Sequence, residues 1–468
     1  MTGSNQKTPL PGGVRELLTL ALPIIISTAC DGIMIFTDRL MLSRLGSDAM
    51  NAAMSGGVSI QVAVFFFIGL TGYSTALAAQ YFGAGQKRNS SATAFQAFLL
   101  ALVAVPVVML WLAPANFISA KLGIPEAQRT LQSQYMFILA AGTIFGLVRH
   151  VMSCYFSGIG KPKIVMIATL TALTVNVALG YTLIYGKFGF PQLGIKGAAI
   201  GAVCGWTAAA VILVTAYFRR ANREEFSSSR TLHFDWNIMK KLLTFGYPAG
   251  LEMFLNFMAF SAVIQIFQSI GSHVATATTI TFNWDLIAFI PLLGIEISVT
   301  SLVGRYMGAK DPVTAEKTVY SAIKAGTVYS LITFVLFAAI PGVLVSVFAP
   351  DAQSAVFEQA RPLAASMIRL AALYVIAEAM MSALVGALRG AGDTFFTMLW
   401  SVSAHWLFAI TAFVMFKVFH LDPLTGWITT IGIFLFFIVL LYLRFRSGHW
   451  TRIDVLGRIS REPDPEAE

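Results

Sequence analysis

The sequence predicts an all-α membrane protein with about twelve transmembrane helices in two six-helix lobes, related by a pseudo-two-fold axis along the membrane normal. Hydrophobic residues make up 57% of the 468 residues and charged residues only 12%, about half the charge of an ordinary soluble domain. Apolar runs long enough to cross a bilayer alternate with short polar loops. The chain also repeats itself. These observations exclude a soluble enzyme, a disordered scaffold and a membrane barrel, whose strands would alternate polar and apolar residues.

The distribution of basic residues predicts that both termini lie in the cytoplasm. An even number of spans places the termini on one side, and basic residues concentrate on the cytoplasmic side. With the N-terminus inside, the inner segments hold about 21 lysines and arginines, and the outer segments about 6. The net charge of +9 is therefore interpreted as a topology signal, and no nucleic-acid partner is expected. The first apolar stretch is too long for a cleaved signal peptide, so the first helix is expected to stay in the mature protein.

An internal repeat relates the two halves at an offset of about 225 residues. The matching pairs are residues 18–23 and 243–248, 45–47 and 270–272, and 80–84 and 305–309. A looser match, at about 232, relates residues 158–160 to 390–392. Because six spans per half is an even number, the halves share one orientation, as in transporters built from parallel repeats. Such an architecture favours transport by alternating access.

The repeat predicts an N-lobe over residues 1–218 and a C-lobe over residues 242–444. Residues 219–241, the longest charged stretch between spans, are expected to form a flexible cytoplasmic linker. The end of this linker, residues 235–241, is expected to be a short interfacial helix. Residues 445–468 are predicted to be a cytoplasmic tail whose last segment has the composition of a disordered chain.

Charged groups within a span are costly, and each is therefore a candidate functional group. Asp38, Glu252 and Glu378 are the candidates for ion coupling. A carboxyl group in a dry cavity can take up a proton, or it can hold Na⁺ or an organic cation when ionised. The alternative is a structural pair with an arginine of a neighbouring helix. Further polar candidates, for the substrate cavity or for support of an ion, are Asp31, Asn176, Asn256, Asp285, Glu296 and Tyr374.

Three sequence relationships refine these candidates. Tyr374 precedes Glu378 by four residues, so the two side chains are expected to meet on one helix face, where the hydroxyl could bond the carboxyl group. Asn256 stands at the repeat position of Asp31. Pro23 and Pro248 also match in the repeat, and because proline kinks a helix, both are candidate hinges.

Several motifs are absent from the sequence. No phosphate-binding G-x-x-x-x-G-K-[ST] segment occurs, so an ATP-driven pump is not supported. No H-E-x-x-H segment and no C-x-x-C pair occur either, and the three cysteines lie within apolar runs. We therefore expect no catalytic residues, no enzyme activity and no cofactor.

Four segments in a characteristic order point to a known family. They are residues 37–46 in the first span, 189–199 before the sixth, 246–252 in the seventh and 388–393 after the tenth. Together they resemble the multidrug and toxic compound extrusion (MATE) family, over nearly the whole chain. The resemblance implies an antiporter, coupled to Na⁺ or H⁺, that exports amphipathic, often cationic drugs and toxic compounds by alternating access. It implies a location in the inner membrane and a role in antibiotic resistance, with membrane lipids around a monomer.

The resemblance also assigns site residues. Asp38 and Asn176 match the acid and the asparagine of the family's N-lobe, and Glu378 and Tyr374 match the acid and the tyrosine of its tenth helix. Na⁺ would then be held at Asp38 and Asn176, or at Glu252, Tyr374 and Glu378.

Two positions depart from the family pattern. Gly180 stands where a second polar residue often follows the asparagine, and Asn256 stands where one branch carries glutamate, while Glu252 lies one turn earlier. The coupling ion and the subfamily therefore stay open. The alternative function is a flippase for a lipid-linked or amphipathic metabolite, which would favour a basic central cavity and additional helices.

Overall fold

The computed structural model describes residues 10–121, 124–349 and 355–457, most of which are helical. Within these ranges, twelve helices are long and apolar enough to cross a membrane, which confirms the predicted number of spans. The helices of the first half are α1 (Val14–Ser43), α2 (Ser47–Gly72), α3 (Ser74–Gly83), α4 (Lys87–Lys121), α5 (Glu126–Gly158), α6 (Pro162–Tyr185), α7 (Ile195–Phe218) and the short α8 (Arg220–Phe226). Helices α2 and α3 together form one span.

The second half begins with a long helix and, like the first, contains six candidate spans within the described residues. Its helices are α9 (Trp236–Gln268), α10 (Ser272–Gly308), α11 (Pro312–Ala339), the short α12 (Pro341–Ser346), α13 (Ala355–Ala391), α14 (Thr394–Phe413) and α15 (Pro423–Arg446). Pro312 and Pro423 occupy the first turns of their helices, where the missing N–H group has no helical partner to lose.

The described residues form two compact units. The N-terminal unit contains residues 22–254 and 454–457, and the C-terminal unit contains residues 10–21 and 255–453. Two of the three unit borders therefore fall inside helices, in α1 and α9, whereas the predicted lobes divide the chain at residues 218 and 242. The predicted lobes remain a proposal.

Close backbone contacts explain why α9 is divided in this way. A Cβ atom at Gly246 would lie 2.5 Å from the carbonyl oxygen of Leu70, and one at Gly250 would lie 2.6 Å from that of Phe66. Because only glycine fits at this distance, the first half of α9 lies directly against α2 in the N-terminal unit. In the C-terminal unit, the Tyr306 hydroxyl donates to Glu16 at 2.7 Å, which fixes the start of α1.

The internal repeat appears as the same helix contact in each unit. A Cβ atom at Gly158 of α5 would lie 2.6 Å from the carbonyl oxygen of Thr75. A Cβ atom at Gly390 of α13 would lie 2.7 Å from that of Thr300. These glycines belong to the looser sequence match, and the two threonines are 225 residues apart. Each unit therefore uses a glycine at the end of one helix to bring another backbone into contact.

Each unit has its own hydrophobic core. Met41, Leu42 and Met136 belong to the core of the N-terminal unit, and Phe267 and Met367 belong to the core of the C-terminal unit. Large apolar side chains also cover the outside of the helices, as expected for surfaces that face lipid.

The linker differs from the prediction. Its first part forms α8 and a short 3₁₀ turn, and Phe226, Ser228 and Thr231 are buried. No separate interfacial helix covers residues 235–241, because residues 236–241 form the first turns of α9. Asp235 caps this helix by accepting a hydrogen bond from the backbone N–H group of Asn237 at 2.9 Å. The apolar and hydroxyl side chains of the segment fix it to the protein, although its many charges suggested a flexible joint.

Candidate functional site: buried carboxyl groups of the two units

The N-terminal unit buries Asp38 in the second half of α1. Asp38 is 7% exposed and Asn176 of α6 is fully buried. The Asn176 amide donates to the two carboxylate oxygens of Asp38 at 3.2 and 3.4 Å. Among the described residues, Oδ1 of Asn176 has no hydrogen-bond partner. Carboxylate and amide oxygens thus lie together in a dry position, and oxygen atoms are the preferred ligands of hard cations.

Two neighbours of Asp38 complete this region. A Cβ atom at Gly180, one turn after Asn176 on α6, would lie 3.8 Å from Oδ1 of Asp38 and 3.2 Å from Cε of Met41. Gly180 therefore faces the carboxyl group, and it contributes no oxygen atom. Tyr135 of α5 is buried within electrostatic reach of Asp38. Sequence reasoning did not identify Tyr135, because no motif relates it to α1.

The C-terminal unit buries Glu378 and Tyr374 in α13, at 7% and 8% exposure. The Tyr374 hydroxyl donates to Oδ1 of Asp285 on α10 at 2.7 Å. The structure thus gives this hydroxyl Asp285 as its hydrogen-bond acceptor, whereas the sequence suggested Glu378. The hydroxyl at the end of the long tyrosine side chain reaches the facing helix α10.

Asp285 links this tyrosine to the glutamate through electrostatics. Asp285 lies within electrostatic range of Glu378, and among the described residues Oε2 of Glu378 has no hydrogen-bond partner. Two nearby carboxyl groups in a dry environment disfavour simultaneous ionisation. The arrangement can therefore hold a proton, or a cation that offsets the second charge.

Aromatic rings pack around Tyr374. The ring centroids of Trp427 and Phe434 lie 6.4 and 6.2 Å from that of Tyr374. Tyr329 lies within electrostatic reach of Glu378, and its hydroxyl donates to the Ala288 carbonyl at 3.0 Å. Aromatic faces attract organic cations. Sequence reasoning missed Trp427 and Tyr329, since both are distant along the chain from α13.

Arginines hold two other predicted acids. Arg149 donates to Asp31 at 2.9 Å, and Arg389 donates to Glu296 at 2.5 Å. Both geometries agree with the structural ion pair that the sequence left open as the alternative. Arg444 likewise bonds Asp393 at 2.9 Å, an acid that was not among the candidates.

The structure separates the remaining candidates between the units. Glu252, 2% exposed, lies in the part of α9 that belongs to the N-terminal unit, whereas Tyr374 and Glu378 belong to the C-terminal unit. Asn256, also in the C-terminal unit, donates to the Ser401 hydroxyl at 2.7 Å. Among the described residues, no cluster of three or more histidine, cysteine, aspartate or glutamate side chains is arranged to hold a metal ion.

Comparison with known proteins agrees with this architecture. The family model MatE matches residues 23–182 and 248–415, one segment in each half of the chain and together more than half of it. A probable multidrug resistance protein NorM from Thermotoga maritima is 28% identical over 97% of this chain and 96% of its own. A second NorM, from Bradyrhizobium diazoefficiens, is 30% identical over 92% of each chain. The multidrug resistance protein PmpM from Pseudomonas aeruginosa is 28% identical over 85% of this chain and 84% of its own.

Solved structures share the fold at low sequence identity. A MATE protein in a bent conformation has a TM-score of 0.83 at 17% identity, covering 92% of this chain and 94% of its own. A MOP superfamily transporter from Pyrococcus furiosus has a TM-score of 0.85 at 17% identity, covering 96% of this chain and its own entire chain. The chain therefore belongs to the MATE family, and it is a multi-pass membrane transporter rather than an enzyme.

Proposed function

We propose that this transporter is an antiporter, coupled to Na⁺ or H⁺, that exports amphipathic, often cationic drugs and toxic compounds by alternating access. One observation supports the proposal most strongly. Asp38 and Glu378 are buried, and neither has an ion-pair partner within residues 10–121, 124–349 and 355–457. A buried carboxylate without a cationic partner is unfavourable unless it is protonated or binds a cation. Such groups can therefore alternate between a coupling ion and a cationic substrate.

Ion binding at these acids would drive the transport cycle. A ligand shifts a conformational equilibrium only as far as it binds one state better than the other. One charge moving across 100 mV contributes about 2.3 kcal/mol, in addition to its concentration gradient. Pro23 and Pro248 are the proposed hinges, since both lie inside helices near the borders of the compact units.

The buried acids favour a cationic substrate over the alternative of a lipid-linked flippase substrate. Asp38, Asp285 and Glu378 would repel an anionic or phosphate-bearing cargo, whereas Trp427 and Tyr374 offer faces to an organic cation. We propose that the protein resides in the inner (plasma) membrane as a monomer, with both termini cytoplasmic. The excess of basic residues on the predicted inner side supports this orientation.

Exchange in reconstituted vesicles tests the proposal. Purified protein is inserted into liposomes, and uptake of an ethidium-like cation is measured with an imposed Na⁺ gradient and, separately, with a pH gradient. We expect uptake that one gradient stimulates and that collapse of this gradient abolishes. Counterflow with unlabelled cation distinguishes a carrier from a channel. Absence of gradient-dependent uptake under both conditions, with intact folded protein, would contradict the proposal.

A further inference from the structure

An apolar groove in the N-terminal unit lies outside the carboxyl sites. Its cavity volume is about 140 Å³, close to the roughly 150 Å³ of an apolar cavity that binds benzene in a soluble protein. Lining residues from three helices and the linker are Phe95, Phe98, Met152, Val214, Phe218 and Leu232. Phe218 and Leu232 are 40% and 47% exposed, so the groove opens to the exterior of the unit.

The groove lies at the membrane end where the linker attaches. Helix α4 begins, and helices α5 and α7 end, at this surface. At a rise of 1.5 Å per residue, Phe98 lies about 16 Å from the start of α4 and Met152 about 9 Å from the end of α5. The lining residues of these helices therefore lie within roughly 17 Å of the helix ends at this surface.

Buried polar contacts hold the wall of the groove in place. The Gln96 side chain donates to the His233 carbonyl at 2.8 Å. The Ser91 hydroxyl donates to that of Tyr217 at 2.7 Å, and the hydroxyls of Tyr217 and Thr231 are 3.1 Å apart. Because these bonds bracket Leu232, the linker is fixed against α4 and α7. The groove is therefore a built feature of the unit.

Two exposed arginines adjoin lining residues of the groove along the chain. Arg219 follows Phe218, and Arg230 lies two residues before Leu232; both are exposed. Among the residues that the structure describes, neither arginine has an ion-pair partner.

The nearby acids have other partners. Glu224 bonds Arg220, and Glu225 bonds Lys87 and Lys161. Asp235 caps α9. The charge that remains at the mouth of the groove is thus basic, and it complements a phosphate group.

We infer that this groove binds one acyl chain of an anionic membrane phospholipid, whose phosphate group lies at Arg219 and Arg230. The apolar walls match the chemistry of an acyl chain, of which the cavity can hold a segment, and the two arginines match the charge of the headgroup phosphate. Anionic lipids are the lipids that basic segments beside membrane helices attract. The site would give the transporter a resident lipid at the attachment of its linker, and it does not depend on the proposed export function.

Native mass spectrometry of the full-length protein tests this inference. The purified protein is mixed with equal amounts of phosphatidylglycerol and phosphatidylcholine that carry the same acyl chains. We expect retained phosphatidylglycerol to exceed phosphatidylcholine by at least about fivefold, the contribution of one basic residue at an anionic membrane surface. The double substitution Arg219→Gln and Arg230→Gln should bring this ratio close to one. Phe218→Ser with Leu232→Ser should reduce retention of both lipids.

Control variants distinguish lipid binding at this groove from general attraction of anionic lipid to the basic residues at this end of the protein. Arg88→Gln with Lys163→Gln removes two exposed cations from the same membrane end, and it should leave the ratio unchanged. Val148, on α5, lines the cavity, and Val148→Phe should narrow it. This variant should therefore reduce retention of both lipids, as expected for the double substitution at Phe218 and Leu232. Equal retention of the two lipids by the unaltered protein, or an equal drop in the control pair, would overturn the inference. Displacement of the lipid by an ethidium-like cation would instead assign the groove to substrate.

Discussion

The two units, although related by a repeat, surround their buried acids with different chemistry. Asp38 has an amide partner, Asn176, and faces Gly180. Glu378 lies near a second carboxyl group, that of Asp285, which accepts a bond from Tyr374. A repeat can thus conserve helix contacts while its polar sites diverge. The two carboxyl groups of the C-terminal unit favour a proton shared between them or a bound cation. The N-terminal unit offers a cation one carboxyl group and one amide oxygen.

Each unit also contains an acid held by an arginine, and these pairs differ in exposure. The Asp31 side chain, bonded to Arg149, is 41% exposed, whereas that of Glu296, bonded to Arg389, is 9% exposed. The two carboxylate–arginine pairs should therefore contribute differently to the free energy of unfolding. Loss of the arginine would leave Glu296 in a more buried position than Asp31.

The largest expected effect comes from neutralising the unpaired acids. Because each substitution removes the charge that would alternate between ion and substrate, Glu378→Gln and Asp38→Asn should each lower gradient-driven cation uptake roughly tenfold or more. Initial uptake rates in liposomes, normalised to inserted protein, measure this effect. Glu358→Gln, an exposed glutamate on the same helix as Glu378, is the matched control. Full activity of one acid variant would assign coupling to the other unit.

Removal of the arginines compares the two ion pairs. Arg389→Met removes the ion pair of the buried Glu296, so it should lower the free energy of unfolding by about 3–5 kcal/mol. Arg149→Met leaves the more exposed Asp31, so it should cost about 1 kcal/mol or less. Denaturant titration in detergent, followed by circular dichroism, gives both values. Equal losses would show that burial does not distinguish the pairs.

An added oxygen atom at Gly180 should sharpen the ion preference of the N-terminal unit. In Gly180→Asn, the Cβ atom would lie 3.8 Å from Oδ1 of Asp38 and 3.2 Å from Cε of Met41, the flexible end of its side chain. The half-saturating Na⁺ concentration for uptake should fall roughly threefold to tenfold, as for one additional favourable polar contact. Gly180→Ala adds the Cβ atom without the oxygen. If both variants shift the Na⁺ dependence alike, the effect is steric.

The smallest effect is expected at the surface of the N-terminal unit. Bonds from Lys161 and Lys87 hold the pKa of Glu225 below its usual range. This stabilisation is therefore present above the unfolded pKa of about 4.3 and is lost as the pH falls through the folded value. Glu225→Gln should lower the free energy of unfolding at pH 7 by at most about 0.5 kcal/mol, because the side chains are exposed. The difference should vanish near pH 3 and shrink in high salt, as measured by the same titration.

The sequence by itself determined the class of the fold. Twelve apolar runs, the repeat and the family segments predict a two-lobed membrane transporter. A helix that crosses a bilayer must be long enough to span it, and its backbone hydrogen bonds must be formed within the helix. Asp38, Glu252 and Glu378 were also identifiable, since an ionisable group within an apolar run stands out in the sequence.

Only the tertiary structure decided which acids have cationic partners. Arg149 and Arg389 lie 118 and 93 residues from the acids that they hold, and Tyr374 reaches Asp285 across 89 residues. Periodicity fixes which face of a helix a residue occupies, but it does not fix which neighbouring helix that face meets. The linker shows the same limit, because its charges were visible in the sequence whereas the helix faces that bury Phe226 and Thr231 were not.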